Sequence, residues 1–161
     1  MFAKLSKTNF PPSVKPTLVW DGDCTFCKFW VTRWKMQTGD AVEYKTYQEV
    51  AEQFKDIPIK EFKKASRFID LDGAIYSGPN SAYKSYTYAK KNTLPWHQWY
   101  QNHNWFAWLS DHAYNFIAKH RSAFYKFTVA CFGKTPERLK PYWMLYVIGL
   151  FFISFGMWMI L

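Results

Sequence analysis

TLVWDGDCTFC, residues 17–27, is the stretch that decides the fold, because an apolar strand, a turn and a cysteine pair follow one another there. Residues 17–20 are apolar and predict a buried strand, and the next three residues have the composition of a turn with a helix N-cap. From Cys24 to about Gln37 apolar residues recur at helical spacing, and Gly39 is a stop signal. The sequence therefore predicts a cysteine pair at the start of a helix.

A Cys-x-x-Cys pair in that position favours thiol chemistry. The unpaired N–H groups and the dipole of the first helical turn stabilise a thiolate, and Lys28 adds positive charge, whereas Asp23 acts against it. We therefore expect Cys24 to be the attacking thiol and Cys27, one turn further on, to be the resolving thiol.

Other uses of the two cysteines are a reduced, buried pair or half of a zinc site. Zinc needs two more ligands, and the sequence has no second Cys-x-x-Cys. Haem attachment requires a histidine after the second cysteine, where Lys28 stands. We expect no metal and no organic cofactor, because a dithiol carries two electrons by itself. Cys131 is expected to be a third thiol without a catalytic role.

Asp21 is an accessory candidate at the same site. A carboxylate near a resolving thiol can accept its proton during exchange. Turn formation and helix capping explain an aspartate here equally well. The sequence therefore predicts either role for Asp21.

The DGDCxFC motif resembles that of the DCC family of thiol-disulfide oxidoreductases. The likeness continues in DLDGAIYSG at residues 70–78, with Ser81-Ala82 following, and in SDHAYNFIAKHR at residues 110–121, and it extends over roughly Thr17 to Gly133. This resemblance implies a thioredoxin-like fold, thiol-disulfide oxidoreductase activity, and protein or small-molecule thiols and disulfides as substrates.

The remaining elements predict an α/β fold with the order β-α-β-α-β-β-α of a minimal thioredoxin-like domain. A second strand is expected over residues 41–46, a short helix over 47–55, a hairpin around Asp72-Gly73 and a helix from Pro79 to about Lys91. Additional C-terminal helices, with an apolar stripe from Trp105 to Phe124, are expected to cap or extend the domain.

One feature departs from the thioredoxin pattern. Thioredoxins carry a cis-proline just before their third strand, whereas the nearest candidate here, Pro58, stands well upstream of Arg67. The loop Ser77-Gly78-Pro79 is a possible substitute.

The chain ends in an uncharged segment, Tyr142 to Leu161. Twenty helical residues extend about 30 Å, the thickness of the hydrocarbon core, so we predict one C-terminal transmembrane helix. A buried core helix is the alternative. The basic residues of 134–141 precede the segment and predict a single-pass membrane protein with a cytoplasmic N-terminal domain. The predicted organisation is a tether (1–16), a thioredoxin-like domain (17–133), a basic linker (134–141) and a membrane helix (142–161).

The net charge of +9 does not indicate a nucleic-acid-binding protein, because the positive residues are scattered and no nucleic-acid-binding motif accompanies them. The predicted function is a membrane-anchored thiol-disulfide oxidoreductase. The alternative is a structural or assembly accessory subunit of a larger membrane protein complex.

Overall fold

The computed structural model describes residues 5–91 and 94–160, apart from the side chains of residues 156 and 158–160. A four-stranded sheet forms its centre, with the strand order β2-β1-β3-β4. The strands are β1 (Thr17–Trp20), β2 (Glu43–Thr46), β3 (Arg67–Ile69) and β4 (Ile75–Ser77). β1 is parallel to β2 and antiparallel to β3, and β3 and β4 form an antiparallel pair. This mixed sheet is the arrangement expected for a thioredoxin-like domain.

Eight helices surround or extend the sheet in the part of the chain that the structure describes. They are α1 (Thr25–Thr38), α2 (Tyr47–Val50), α3 (Ile59–Lys64), α4 (Pro79–Tyr86), α5 (Trp96–Asn102), α6 (Asn104–Lys119), α7 (Arg121–Phe132) and α8 (Tyr142–Ile160). The predicted helix over 47–55 is shorter than expected, because α2 gives way to a 3₁₀ turn at Ala51–Gln53. The helix after Pro79 ends at Tyr86, and residues 92–93 lie outside the described part.

The hairpin predicted around Asp72-Gly73 is confirmed. Gly73 has a φ of 82°, and a Cβ there would lie 2.6 Å from the carbonyl oxygen of Thr8. The Asp72 carboxylate accepts the Ala74 N–H at 2.9 Å, which closes the turn. Only glycine combines this backbone conformation with so close an approach of another chain segment.

Alternate residues of the central strand β1 point to opposite faces of the sheet, so β1 contributes side chains to two hydrophobic cores. Val19 belongs to a cluster with residues from α2, α3 and the hairpin strands, which includes Phe54 and Phe62. Leu18 packs on the other face with Val31, Val42 and Phe68. Both clusters exclude solvent, and together they fix the strand that leads into the cysteine pair.

The predicted N-terminal tether is in contact with the domain. Lys7 forms a β-bridge with Ala74, and the Thr8 hydroxyl donates a hydrogen bond to Asp56 at 2.6 Å. Thr8 is buried. Residues 1–4 of the tether lie outside the described residues.

Residues 142–160 form the helix α8, but the transmembrane helix and single-pass membrane localisation predicted from this segment are wrong. Among the residues that the structure describes, no helix is both long enough and apolar enough to cross a membrane. Leu161 lies outside the described residues. The cytoplasmic location of the N-terminal domain was predicted from the same segment, so that prediction is no longer supported.

Candidate dithiol site

Cys24 is itself the N-cap of α1, so the helix begins at Thr25, one residue later than the sequence predicted. Its backbone is extended, and its Sγ accepts the backbone N–H of Cys27 at 3.1 Å. The Cys24 N–H in turn donates to the Asp21 carbonyl at 3.2 Å. Sulfur therefore takes the place of the oxygen acceptor usual at an N-cap, and one of the free N–H groups of the first turn is directed at it.

The two cysteines form a disulfide, with their Cα atoms 5.1 Å apart. Cys24 is 8% exposed, whereas Cys27 is partly exposed. The sequence prediction of Cys24 as the attacking thiol implies the reverse order of exposure. Helix geometry accounts for the difference: the N-cap side chain folds back over the first turn, while Cys27 stands on the side of α1 that faces α6 and α7.

Gln48 of α2 holds the turn before the cysteine pair. Its Oε1 accepts the Gly22 N–H at 3.1 Å, and its Nε2 lies 3.3 Å from Asp21 and 3.2 Å from Asp23. A Cβ at Gly22 would lie 2.9 Å from the Thr46 side chain. The turn is therefore fixed against β2 and α2, which favours a glycine at its centre.

Asp21 is joined to Arg121, at the start of α7, by an ion pair of 3.0 Å. A positive side chain in the first turn of a helix opposes the helix dipole, so the carboxylate supplies the charge that favours this position. The same carboxylate accepts the Asp23 N–H at 3.2 Å. The structure thus places Asp21 as the link between the cysteine turn and the C-terminal helices.

A cavity of about 340 Å³ adjoins the disulfide between α1, α3, α6 and α7. We call it the dithiol cavity. Cys27, Asp21 and Arg121 lie in its wall, whereas Cys24 does not. Half of the residues in the wall are aromatic, and their rings include Trp20, Phe26, Trp30, Trp34, Phe124 and Phe127. This volume and this apolar lining are typical of a small-molecule pocket.

Two tryptophans of this wall differ from the third in their hydrogen bonding. Trp34 makes a side-chain hydrogen bond with Tyr86, a phenol whose pKa is raised to about 12, chiefly by burial. The Nε1 atoms of Trp20 and Trp30 are buried and have no hydrogen-bond partner. A buried donor without an acceptor costs free energy, so these two groups call for an explanation.

The position before β3 lies at the cavity, but it carries no proline. Ala65 and Ser66 line the wall, and the Ser66 N–H donates to the Tyr114 hydroxyl at 3.1 Å. No peptide bond is cis among the described residues. Pro58 begins α3, outside the lining of this cavity.

The suggested substitute loop reaches the site only indirectly. The Gly78 N–H donates to the Ser66 carbonyl at 3.0 Å, and the hydroxyls of Ser66 and Ser81 are 2.8 Å apart. Residues 77–79 are not in the lining of the dithiol cavity. The loop therefore supports Ser66 rather than facing the disulfide.

Arg121 is the residue of this site to which sequence reasoning gave no role. Arg121 is the last residue of the SDHAYNFIAKHR segment that resembles the family, so the sequence did mark the position. Only the fold brings Arg121 next to Asp21, which lies 100 positions earlier in the chain. No group of three or more metal-ligating side chains occurs among residues 5–91 and 94–160. Cys131 is a free, buried thiol on α7.

A dithiol at a helix N-terminus, after the first strand of a mixed sheet, defines the class of thiol-disulfide oxidoreductase domains. The chain matches the family model of the DCC1-like thiol-disulfide oxidoreductases over residues 18–127. It therefore belongs to this family, as the cysteine motif predicted. Neither a curated protein nor a solved structure was found to match it.

Proposed function

We propose that the chain catalyses thiol-disulfide exchange with Cys24 and Cys27, within a domain over residues 17–133. The observation that supports this most is the Cys24 sulfur at the N-terminus of α1, where it accepts the Cys27 N–H. The same contact and the helix dipole would stabilise a Cys24 thiolate in the reduced protein. Cys24 is therefore the proposed attacking thiol and Cys27 the resolving thiol.

Exchange proceeds in two displacements at sulfur. The Cys24 thiolate attacks one sulfur of a substrate disulfide, a mixed disulfide forms, and the first substrate thiolate leaves. Cys27 then loses its proton and attacks Cys24, which closes the protein disulfide and releases the second substrate thiolate. The protein dithiol is oxidised by two electrons and the substrate is reduced by two. An external thiol reductant would restore the dithiol.

Asp21 has two proposed roles at this site. It is a candidate acceptor for the proton that Cys27 loses, because both residues line the dithiol cavity. Its bonds to Arg121 and to the Asp23 N–H support a positioning role. The Asp21→Asn variant separates the two roles, because it keeps a similar shape but removes the proton-accepting carboxylate.

The test uses the full chain with Cys131→Ser, equilibrated in a series of glutathione buffers. Alkylation and mass spectrometry then measure the fraction of the Cys24–Cys27 bridge. We expect a reversible two-electron transition between about −270 and −120 mV, the range of known redox-active pairs. Thiols that neither bridge nor react until the protein unfolds would contradict the proposal.

Single variants assign the two sulfurs. With a mixed-disulfide probe, Cys27→Ser is expected to accumulate an adduct on Cys24, because the resolving thiol is absent. Cys24→Ser serves as the matched control and should form little adduct. An adduct that accumulates on Cys27 instead would reverse the assignment while leaving the exchange activity in place.

A second candidate function is an accessory subunit in a larger assembly. It is favoured by an exposed apolar stripe on α6, where Trp105 is 67% and Trp108 is 62% exposed. Exposed patches of this kind mark interaction surfaces. The test compares the molecular mass of the assembly purified with the unsubstituted chain and with a Trp105→Ser/Trp108→Ser variant. Loss of the assembly in the variant, with the redox transition unchanged, would support this function. An assembly of the same mass in both would contradict it.

A further inference from the structure

The wall of the dithiol cavity determines which molecules can bind beside the disulfide. Cys27 brings one sulfur of the disulfide into a wall that is otherwise almost entirely apolar. A molecule that exchanges with this pair from the cavity side therefore has to place its own sulfur at one end and its remaining atoms among the aromatic rings.

Charge in the cavity is internally compensated. Asp21 and Arg121 are the charged residues of its described wall, and they pair with each other at 3.0 Å. A carboxylate-rich thiol such as glutathione would have to compete with Asp21 for the guanidinium and give up its own hydration. The cavity therefore favours a neutral molecule.

The size of the cavity sets a second limit. A volume of about 340 Å³ lies at the lower end of the range typical of small-molecule pockets. It suits an aromatic or branched alkyl group, and flat rings pack well against tryptophan and phenylalanine.

We propose that the dithiol cavity binds neutral, low-molecular-weight aromatic thiols and disulfides, and that it selects them over charged ones. This inference rests on the proposed function and names its substrate class. The net exchange is the one described above: the aromatic disulfide is reduced to two thiols while the protein dithiol becomes a disulfide. Because Cys27 and not Cys24 lies in the cavity wall, a disulfide bound in the cavity forms its mixed disulfide with Cys27, and Cys24 then attacks Cys27 and releases the second thiol. The adduct test with the single-cysteine variants distinguishes this order of attack from the one that begins at Cys24.

Binding is tested without redox chemistry, in a variant with Cys24, Cys27 and Cys131 all replaced by serine. Dibenzyl disulfide is the neutral probe and oxidised glutathione the charged one. Binding is measured by equilibrium dialysis and by quenching of tryptophan fluorescence, since Trp20, Trp30 and Trp34 line the cavity. We expect saturable binding of dibenzyl disulfide at least about tenfold tighter than that of oxidised glutathione, a difference of about 1.4 kcal/mol.

A substitution that fills the cavity tests where the probe binds, and a substitution elsewhere on the same helix is its matched control. Ala118 of α6 lines the cavity, whereas Ala113 of the same helix is exposed. In the triple-serine protein, Ala118→Leu should raise the Kd of dibenzyl disulfide about tenfold or more, because the larger side chain occupies the space of the ligand. Ala113→Leu should leave its Kd unchanged.

Exchange rates give a second measurement that does not depend on the leucine variants. With the cysteines intact, dibenzyl disulfide should oxidise the reduced protein faster than bis(2-hydroxyethyl) disulfide, a dialkyl disulfide that is also neutral but polar. Absent or unselective binding in the triple-serine protein would overturn this inference even if exchange occurs. Selective binding that Ala118→Leu weakens would support it even if the cysteine pair shows no redox transition, and in that case only the proposed function fails.

Discussion

The two faces of the sheet and the dithiol cavity are both lined by large apolar side chains, yet they are packed differently. Around Phe68, which is fully buried, rings of Tyr76 and Tyr88 lie 6.2 and 5.7 Å away. In the cavity wall Phe127 remains 62% exposed, and the rings enclose about 340 Å³ of space. The first region is packed as a protein core, whereas the second keeps open space beside the disulfide.

The difference shows how this chain separates stability from function. Close packing in the sheet fixes β1 and the turn that carries the cysteines, because a filled core permits few alternative arrangements. Space beside Cys27 is then retained at the junction with α6 and α7, where a closed core would give more stability.

The largest effect is expected from truncating one ring in each region. Phe68→Ala should lower the free energy of unfolding by about 3–5 kcal/mol, because it opens a cavity in a filled core. Phe127→Ala should cost less than about 1 kcal/mol, because its ring is already largely solvated. Urea unfolding of the two variants measures both values. Equal losses would mean that the cavity wall is packed as tightly as the sheet.

The next effect concerns a buried charge on β3. The Arg67 side chain is inaccessible to solvent and pairs with Glu61 at 2.7 Å. Burial lowers the pKa of Arg67, while Glu61 opposes that shift. Glu61→Gln should cost about 1–3 kcal/mol, because a buried guanidinium loses its counter-charge. In Glu43→Gln, which alters the exposed pair with Lys45, stability should hardly change; a comparable loss there would contradict the argument.

A smaller coupling is expected between Asp21 and Arg121, which join the two regions. Both side chains are partly exposed, so a double-mutant cycle of Asp21→Asn and Arg121→Gln should give about 0.2–1 kcal/mol. Salt should weaken this coupling energy. A coupling of zero at low salt would show that the cysteine turn and α7 are held together by other contacts.

The smallest effect is a pH dependence at His97, on the hairpin side of the molecule. Burial lowers the pKa of His97, Lys84 lowers it further, and Asp70 opposes the shift. The unfolded chain therefore binds a proton more readily, and stability should fall as pH drops below about 6.5 towards the folded pKa. His97→Gln should flatten the curve between about pH 8 and 5. The same slope in the variant would assign this dependence to other groups.

The strand, the cysteine helix and the hairpin were predictable because each has a strong local signal. TLVW is apolar, the helix keeps its spacing to Gly39, and Asp72-Gly73 has the composition of a tight turn. The start of the helix was predicted one residue too early, at Cys24 instead of Thr25, because cysteine is not among the usual N-cap residues and the turn before it contains two aspartates.

Contacts between distant residues were beyond local patterns. The pairing of Asp21 with Arg121, and the cavity between α1 and α7, depend on how helices 100 residues apart pack. The apolar stripe of α6 was expected to cap or extend the domain, yet several of its side chains are exposed, because helical spacing shows a face but not what covers it. The exposed members are Trp105, Trp108, Leu109 and Phe116. The transmembrane prediction had the same weakness, since it used composition alone.

The Cys24 cap makes the backbone amide of Cys27 a built-in reporter of sulfur chemistry. Its proton is donated to Cys24 Sγ, so alkylation, reduction or mixed-disulfide formation at that sulfur changes the acceptor that holds it. Hydrogen exchange and the chemical shift of this single amide would then register the state of the pair. The redox state of the protein can therefore be followed at the Cys27 amide, without a dye or an engineered label.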